Sequence, residues 1–105
     1  PGYMAPEQAS GDAAGVGPAA DVYGLGGILY ELLTGRPPFF GPLNFDVLRQ
    51  IVHDAPVPVR RRNPAASAAL EAVCRRCLEK SPGERYPSAA AFRAALFPES
   101  IAPPR

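Results

Sequence analysis

The chain has 105 residues, of which 47% are hydrophobic and 20% charged, with a formal net charge of +1. That length allows one small domain or part of a larger one, and the composition is that of a globular chain rather than a disordered one. The near-neutral balance gives no global attraction to nucleic acid or anionic membrane. The longest apolar stretch, 22–33, is interrupted by Glu31 and is shorter than the roughly 20 residues that span a bilayer.

The 14 prolines and 10 glycines cluster between periodic segments and act as loop punctuation. The chain opens at Pro1 without an initiating Met and without a charged, cleavable leader, a start that suits a fragment or a trimmed chain. Residues 1–18 read as loop, with at most a short turn over 7–10. The first long helix is expected over 20–34, closed by Gly35 and the Pro37-Pro38 pair. Its apolar residues Val22, Tyr23, Leu25, Ile28, Leu29, Tyr30, Leu32 and Leu33 lie on every side, which marks a buried helix wrapped by other elements.

A second helix over 45–53 carries Leu48, Ile51 and Val52 on one side. A proline-rich connection follows through Pro56, Pro58 and Pro64. The third helix, 67–79, places Leu70, Val73, Cys74, Cys77 and Leu78 on one stripe, with Glu71, Arg75, Arg76 and Glu79 opposite. The fourth begins at Ser88 as N-cap, turns Phe92 and Leu96 inward and ends at Pro98. No strand is read, so the expected fold class is all-α. Three short amphipathic helices cover only part of helix 20–34, so some of its partners are expected outside this chain.

Cys74 and Cys77 form a C-x-x-C, the spacing of many redox and zinc sites. Both sit mid-helix on the apolar stripe, His53 is the only histidine, and no second ligand pair exists. Core packing is the expectation and no metal is assigned. Arg60, Arg61 and Arg62, with Arg75 and Arg76, form the one basic cluster. It could touch phosphate or acidic side chains, but no aromatics are interleaved, and a solvated loop is the favoured reading.

Pro1-Gly2-Tyr3-Met4-Ala5-Pro6-Glu7 resembles the end of the activation segment of Ser/Thr protein kinases. Further blocks follow in order. Asp21-Val22-Tyr23-Gly24-Leu25-Gly26 resembles the start of the central helix of the kinase C-lobe. Tyr30-Glu31-Leu32-Leu33-Thr34-Gly35-Arg36-Pro37-Pro38-Phe39 resembles its end. Cys77-Leu78-Glu79-Lys80-Ser81-Pro82 and Arg85-Tyr86-Pro87-Ser88-Ala89 resemble the last two helices and their linker. The variants lean towards bacterial kinases. The resemblance covers 1–97, leaving 98–105 as a tail or linker, and implies an incomplete, helical C-lobe portion of the protein kinase-like fold.

The resemblance also implies roles. Glu7 would pair with Arg85, whose planar fork suits a carboxylate. Asp21 would accept hydrogen bonds from the catalytic-loop backbone, which is outside this chain. Gly2, Tyr3 and Met4 would seat the substrate residue after the phosphorylated Ser/Thr. No catalytic residue is assigned, because the parts that hold phosphates and magnesium and aim a carboxylate are absent. Gly24-Leu25-Gly26-Gly27 sits inside a helix with Leu29 where a third glycine belongs, and Lys80, the only lysine, closes a helix. His53-Asp54 and Asn44-Phe45-Asp46 do not match the family's catalytic and magnesium-binding loops.

The implied parent is a cytoplasmic Ser/Thr kinase that uses ATP and Mg2+ on protein substrates. This chain would be its substrate-side scaffold, partnered by the rest of the kinase domain, with neither nucleic acid nor a membrane segment involved, and inactive alone. Two other classes stay open: a non-catalytic, kinase-derived helical binding module, and a small nucleic-acid binder using Arg60 to Arg62.

Overall fold

Pro18 sets where the longest helix begins. A proline at the first helical position has its φ preset and no N–H to lose, and helix α2 accordingly runs Pro18–Thr34, two residues longer at its start than expected. At its other end Gly35 adopts φ 83° and returns its N–H to the Glu31 carbonyl at 2.8 Å. In this left-handed position glycine carries no Cβ penalty. The computed structural model describes residues 3–11 and 17–98, and the expected tail over 98–105 lies almost wholly outside them.

The short helix α1, Pro6–Ala9, precedes α2, with the Gln8 side chain accepting from the Ala5 N–H at 3.0 Å. Helix α3, Asn44–His53, buries Val47 and Ile51. Leu48 and Val52, expected on its inner side, are only half-buried, so the buried side is rotated towards Val47. Helix α4, Val59–Arg62, lies within what reads in the sequence as a proline-rich connection. Helix α5, Ala68–Cys77, is capped by Ser67, whose hydroxyl accepts from the Leu70 N–H at 3.0 Å. It stops two residues short of the expected end, where the Leu78 N–H folds back on the Cys74 and Arg75 carbonyls. A 3-10 turn, Pro82–Glu84, leads to helix α6, Ala89–Leu96, capped by Ser88 through the Ala91 N–H. The regular elements among the described residues are all helices, with no strand.

Helix α2 divides two apolar clusters. On one side Tyr23 and Tyr30 join Phe39, Val47, Ile51, Val59, Cys74 and Leu78. On the other, Val22 meets Val73, Cys77 and Phe92. The α2–α5 crossing depends on Gly26, where an added Cβ would sit 2.4 Å from the Cys77 Cβ. Real Cβ atoms do not approach so closely, so only glycine allows this contact. The Cys74 thiol lies 3.5 Å from the Gly26 carbonyl at the same crossing.

The principal extents are 52 × 34 × 16 Å. With a helix about 10–12 Å across, the thin direction leaves little room for cover on both sides of α2. Ile28 and Leu32 are 48% and 79% exposed. Between its two clusters the all-round apolar helix therefore leaves a strip at Ile28 and Leu32 uncovered among the described residues.

Candidate functional site

Arg85 follows the Pro82–Glu84 turn in extended conformation, and its side chain is fully buried. An arginine carries five N–H donors and no acceptor, so burying it demands acceptors on every side. Here all five are met. Nη1 donates to Glu7 Oε2 at 2.7 Å and to the Ala19 carbonyl at 3.0 Å. Nη2 donates to Glu7 Oε1 at 2.8 Å and to the Lys80 carbonyl at 3.2 Å. Nε donates to the Glu79 carbonyl at 2.8 Å. The guanidinium carbon also lies 5.0 Å from the centre of the Tyr23 ring.

This one side chain therefore joins α1, the start of α2, the end of α5 and the turn before α6. The guanidinium holds the Glu7 carboxyl below the usual carboxylate range, an effect that outweighs its own partial burial. Tyr23 is fully buried, and its phenol oxygen has no hydrogen-bond partner among the described residues. Burial pushes that phenol up to about 12. In the sequence Tyr23 stands out only as part of an apolar run and of the 21–26 block, with no role assigned to its phenol.

With α1 fixed by Arg85, the segment before it is laid along α2. The Tyr3 carbonyl would be 3.6 Å from a Cβ at Gly24, and the Tyr3 ring 2.8 Å from one at Gly27. The absence of a side chain at Gly27 lets the ring of residue 3 lie against the helix, whereas the approach at Gly24 is an ordinary contact. The Tyr3 hydroxyl donates to the Glu31 carboxylate, which pushes the phenol's pKa up. Tyr3 and Met4 are both exposed, at the edge of the open side of α2 that carries Ile28 and Leu32. Gly2, the third residue expected in this group, lies outside the described residues.

Asp21 sits in the first turn of α2, is exposed, and makes no side-chain hydrogen bond among the described residues. Its place at the positive end of the helix suits a carboxylate by itself. Tyr3 and Met4 share one region with Glu31, whereas Glu7 and Arg85 form a separate buried clasp, and Asp21 joins neither.

Cys74 and Cys77 are buried free thiols, both pushed up to about 12 by burial. Thiols held neutral this far above the ordinary range are poor nucleophiles and poor metal ligands. Among the described residues no group of His, Cys, Asp or Glu could hold a metal ion. Lys80 donates to the Ile51 carbonyl at 2.5 Å and lies 4.5 Å from the Phe39 ring centre, so it closes the end of α3. No helix among the described residues is long and apolar enough to cross a membrane.

The family profile described as "Protein kinase domain" matches residues 1–97. The chain is 46% identical over 95 residues to the serine/threonine-protein kinase PknB of Mycobacterium leprae, a match over 90% of this chain and 15% of that protein. PknB of Mycobacterium tuberculosis is 47% identical over 94 residues, with the same coverage. Serine/threonine-protein kinase Pkn1 of Myxococcus xanthus is 50% identical over 100 residues, covering 91% of this chain and 14% of Pkn1. The chain thus spans about 15% of the length of the first of these relatives. With a helical fold and a match over nearly its whole length, this chain belongs to the protein kinase domain family, as a fragment of that domain similar to bacterial Ser/Thr kinases.

Proposed function

We propose that this chain forms the substrate-side floor and helical scaffold of a kinase C-lobe. The longer protein would transfer the γ-phosphate of ATP to Ser or Thr hydroxyls of protein substrates. The observation that carries the reading is the five-fold satisfied Arg85, which clamps the Ala5-Pro6-Glu7 segment beneath α2. A clamp of this kind gives the residues just before it, Tyr3 and Met4, a fixed platform at the surface. There they can line a shallow apolar seat for the side chain next to the acceptor hydroxyl. Asp21 is proposed to receive backbone hydrogen bonds from a loop that this chain does not include.

The residues described here do not fit a site for ATP and Mg2+. The only lysine is committed to the Ile51 carbonyl, and no cluster of acids is placed to hold a cation. Phosphates, magnesium and the proton-accepting carboxylate would be handled by other parts of the domain, and no transfer step is derived from these residues. A cytoplasmic location belongs to the same proposal.

The test is to express the longest reading frame that contains residues 1–105 and to follow labelled γ-phosphate into protein Ser and Thr. Incorporation is expected. Tyr3→Ala and Met4→Ala are expected to raise KM for peptide more than they lower kcat, with the size depending on the residue after the acceptor. A folded product that transfers no phosphate would overturn the catalytic reading. The exposed Ile28 and Leu32 side of α2 would then favour the rival, a non-catalytic binding module. That module should be monodisperse and cooperatively folded as the 105-residue chain alone.

A further inference from the structure

The C-terminal end of α2 and the short helix α4 border an open surface cavity of about 320 Å3 lined by Thr34, Arg36, Val57, Arg61 and Arg62. Three of its five walls are arginines, and none is a carboxylate. Guanidiniums on a folded surface ordinarily find acidic partners or helix-end carbonyls, and here neither accounts for the cluster. No carboxylate pairs with Arg36, Arg61 or Arg62 among the described residues. Three of the carbonyls at the end of α2 are already taken by other donors. Thr34 Oγ1 caps Tyr30, the Gly35 N–H caps Glu31, and Asn63 Nδ2 caps Leu33 at 2.8 Å.

The cluster is also held in place. Arg62 Nε donates to the Tyr30 hydroxyl at 3.0 Å, and that hydroxyl donates to the Val57 carbonyl at 2.6 Å. The guanidinium of Arg36 lies 5.4 Å, and that of Arg62 5.7 Å, from the centre of the Phe40 ring. Phe40 therefore draws two like charges to one place, while the terminal Nη donors of Arg36, Arg61 and Arg62 make no hydrogen bond among the described residues. Several guanidinium forks around one small cavity match the oxygens of a doubly charged phosphate.

We infer that Arg36, Arg61 and Arg62 form a binding site for a phosphate monoester or inorganic phosphate, separate from the substrate-side segment and independent of the proposed catalytic role of the parent. The exposed aromatic ring in this region, Phe40, is already engaged by two arginines, Tyr30 is buried, and the chain's net charge is only +1. Both features disfavour a nucleic-acid strand, which asks for stacking platforms and a basic track.

The test uses the full chain in low-salt, phosphate-free buffer and a dye-labelled peptide carrying one phosphothreonine, followed by fluorescence polarisation. Binding is expected, with inorganic phosphate displacing the peptide and the unphosphorylated peptide failing to bind. Arg36→Gln and Arg61→Gln should each weaken it about tenfold or more. Arg60→Gln and Arg75→Gln, which remove the same charge outside the cavity, should leave it unchanged. A phosphopeptide bound more tightly than free phosphate assigns the site to phosphorylated protein side chains, and equal affinity assigns it to the free anion. Equal losses in all four variants, stronger binding of a single-stranded oligonucleotide, or no binding would overturn the site. Circular dichroism showing a non-helical chain would overturn the cavity along with the fold.

Discussion

Arg85 and Glu7, 78 positions apart in the chain, meet through two parallel hydrogen bonds of 2.7 and 2.8 Å in a site from which solvent is almost excluded. Truncating either partner leaves the other charge buried, and Arg85→Ala also strands the carbonyls of Ala19, Glu79 and Lys80. Each single change should destabilise by about 3–5 kcal/mol. In a double-mutant cycle Glu7→Ala and Arg85→Ala should be strongly non-additive by chemical denaturation. Arg85→Lys keeps the charge but offers three donors in place of five, and should recover only part of the loss.

The same pair sets the acid limb of stability. The Glu7 carboxyl is held below its ordinary value by Arg85, so the unfolded chain takes up its proton first as pH falls. The contribution is fully present above the ordinary carboxylate range and is lost as pH drops through the folded-state value. Thermal denaturation across that range should show a decline that Glu7→Gln flattens, at the cost of lower stability near neutrality.

Within α2, neighbouring glycines should respond oppositely to alanine. At Gly26 a Cβ meets the Cys77 Cβ at 2.4 Å, and neither atom can rotate away, so α2 and α5 must separate. Gly26→Ala should cost about 1–3 kcal/mol, the range of overpacking. At Gly24 the nearest atom is the Tyr3 carbonyl oxygen at 3.6 Å, an ordinary contact. Gly24→Ala should be neutral or stabilising by up to about 1 kcal/mol through helix propensity. Melting temperatures of the two variants should bracket that of the parent chain.

At alkaline pH the thiols govern. Burial raises Cys74 and Cys77 to about 12, so above the ordinary thiol range the unfolded chain loses protons that the folded chain keeps. Stability should therefore fall as pH rises towards about 12, although the Lys80 amine, lowered by burial to about 8, offsets the thiols below its ordinary value near 10.5. A thiol reagent should label neither cysteine in the native chain and both in denaturant. Cys74→Ala should flatten the alkaline limb.

How far the fold can be read from sequence differs element by element. Helix α5 was legible because Leu70, Val73, Cys74, Cys77 and Leu78 repeat on one stripe and Ser67 announces its start. Helix α6 declared itself the same way through Ser88. Helix α4 was not legible. Pro56, Pro58 and Pro64 flank it, and the contacts that hold its single turn come from afar, including the Glu71 carboxylate that accepts the Arg60 N–H at 2.8 Å. In α3 the repeat runs over so few residues that Leu48, Ile51 and Val52 read as the inner side, whereas Val47 and Ile51 are the buried pair.

For the candidate site, residue types suggested a Glu7–Arg85 contact only once the family resemblance had been drawn. The backbone carbonyls that complete the Arg85 shell carry no side-chain signature, so nothing local could announce them. The surroundings of Tyr23 were hidden for the same reason, and of the arginine-lined groove only the Arg60-Arg61-Arg62 run was visible, without Arg36 beside it. Their character comes from which distant segments close around them, and sequence spacing does not encode that.

Lys80 has a practical consequence for chemistry at the bench. It is the only lysine of the chain, and burial lowers its amine to about 8, which leaves a larger neutral fraction near physiological pH than an ordinary lysine has. The bond to the Ile51 carbonyl keeps that nitrogen turned into the fold. Acylation of this amine by a mild ester reagent would therefore act as a clock for excursions of α3 away from α5, with one reporter per molecule apart from the amino terminus.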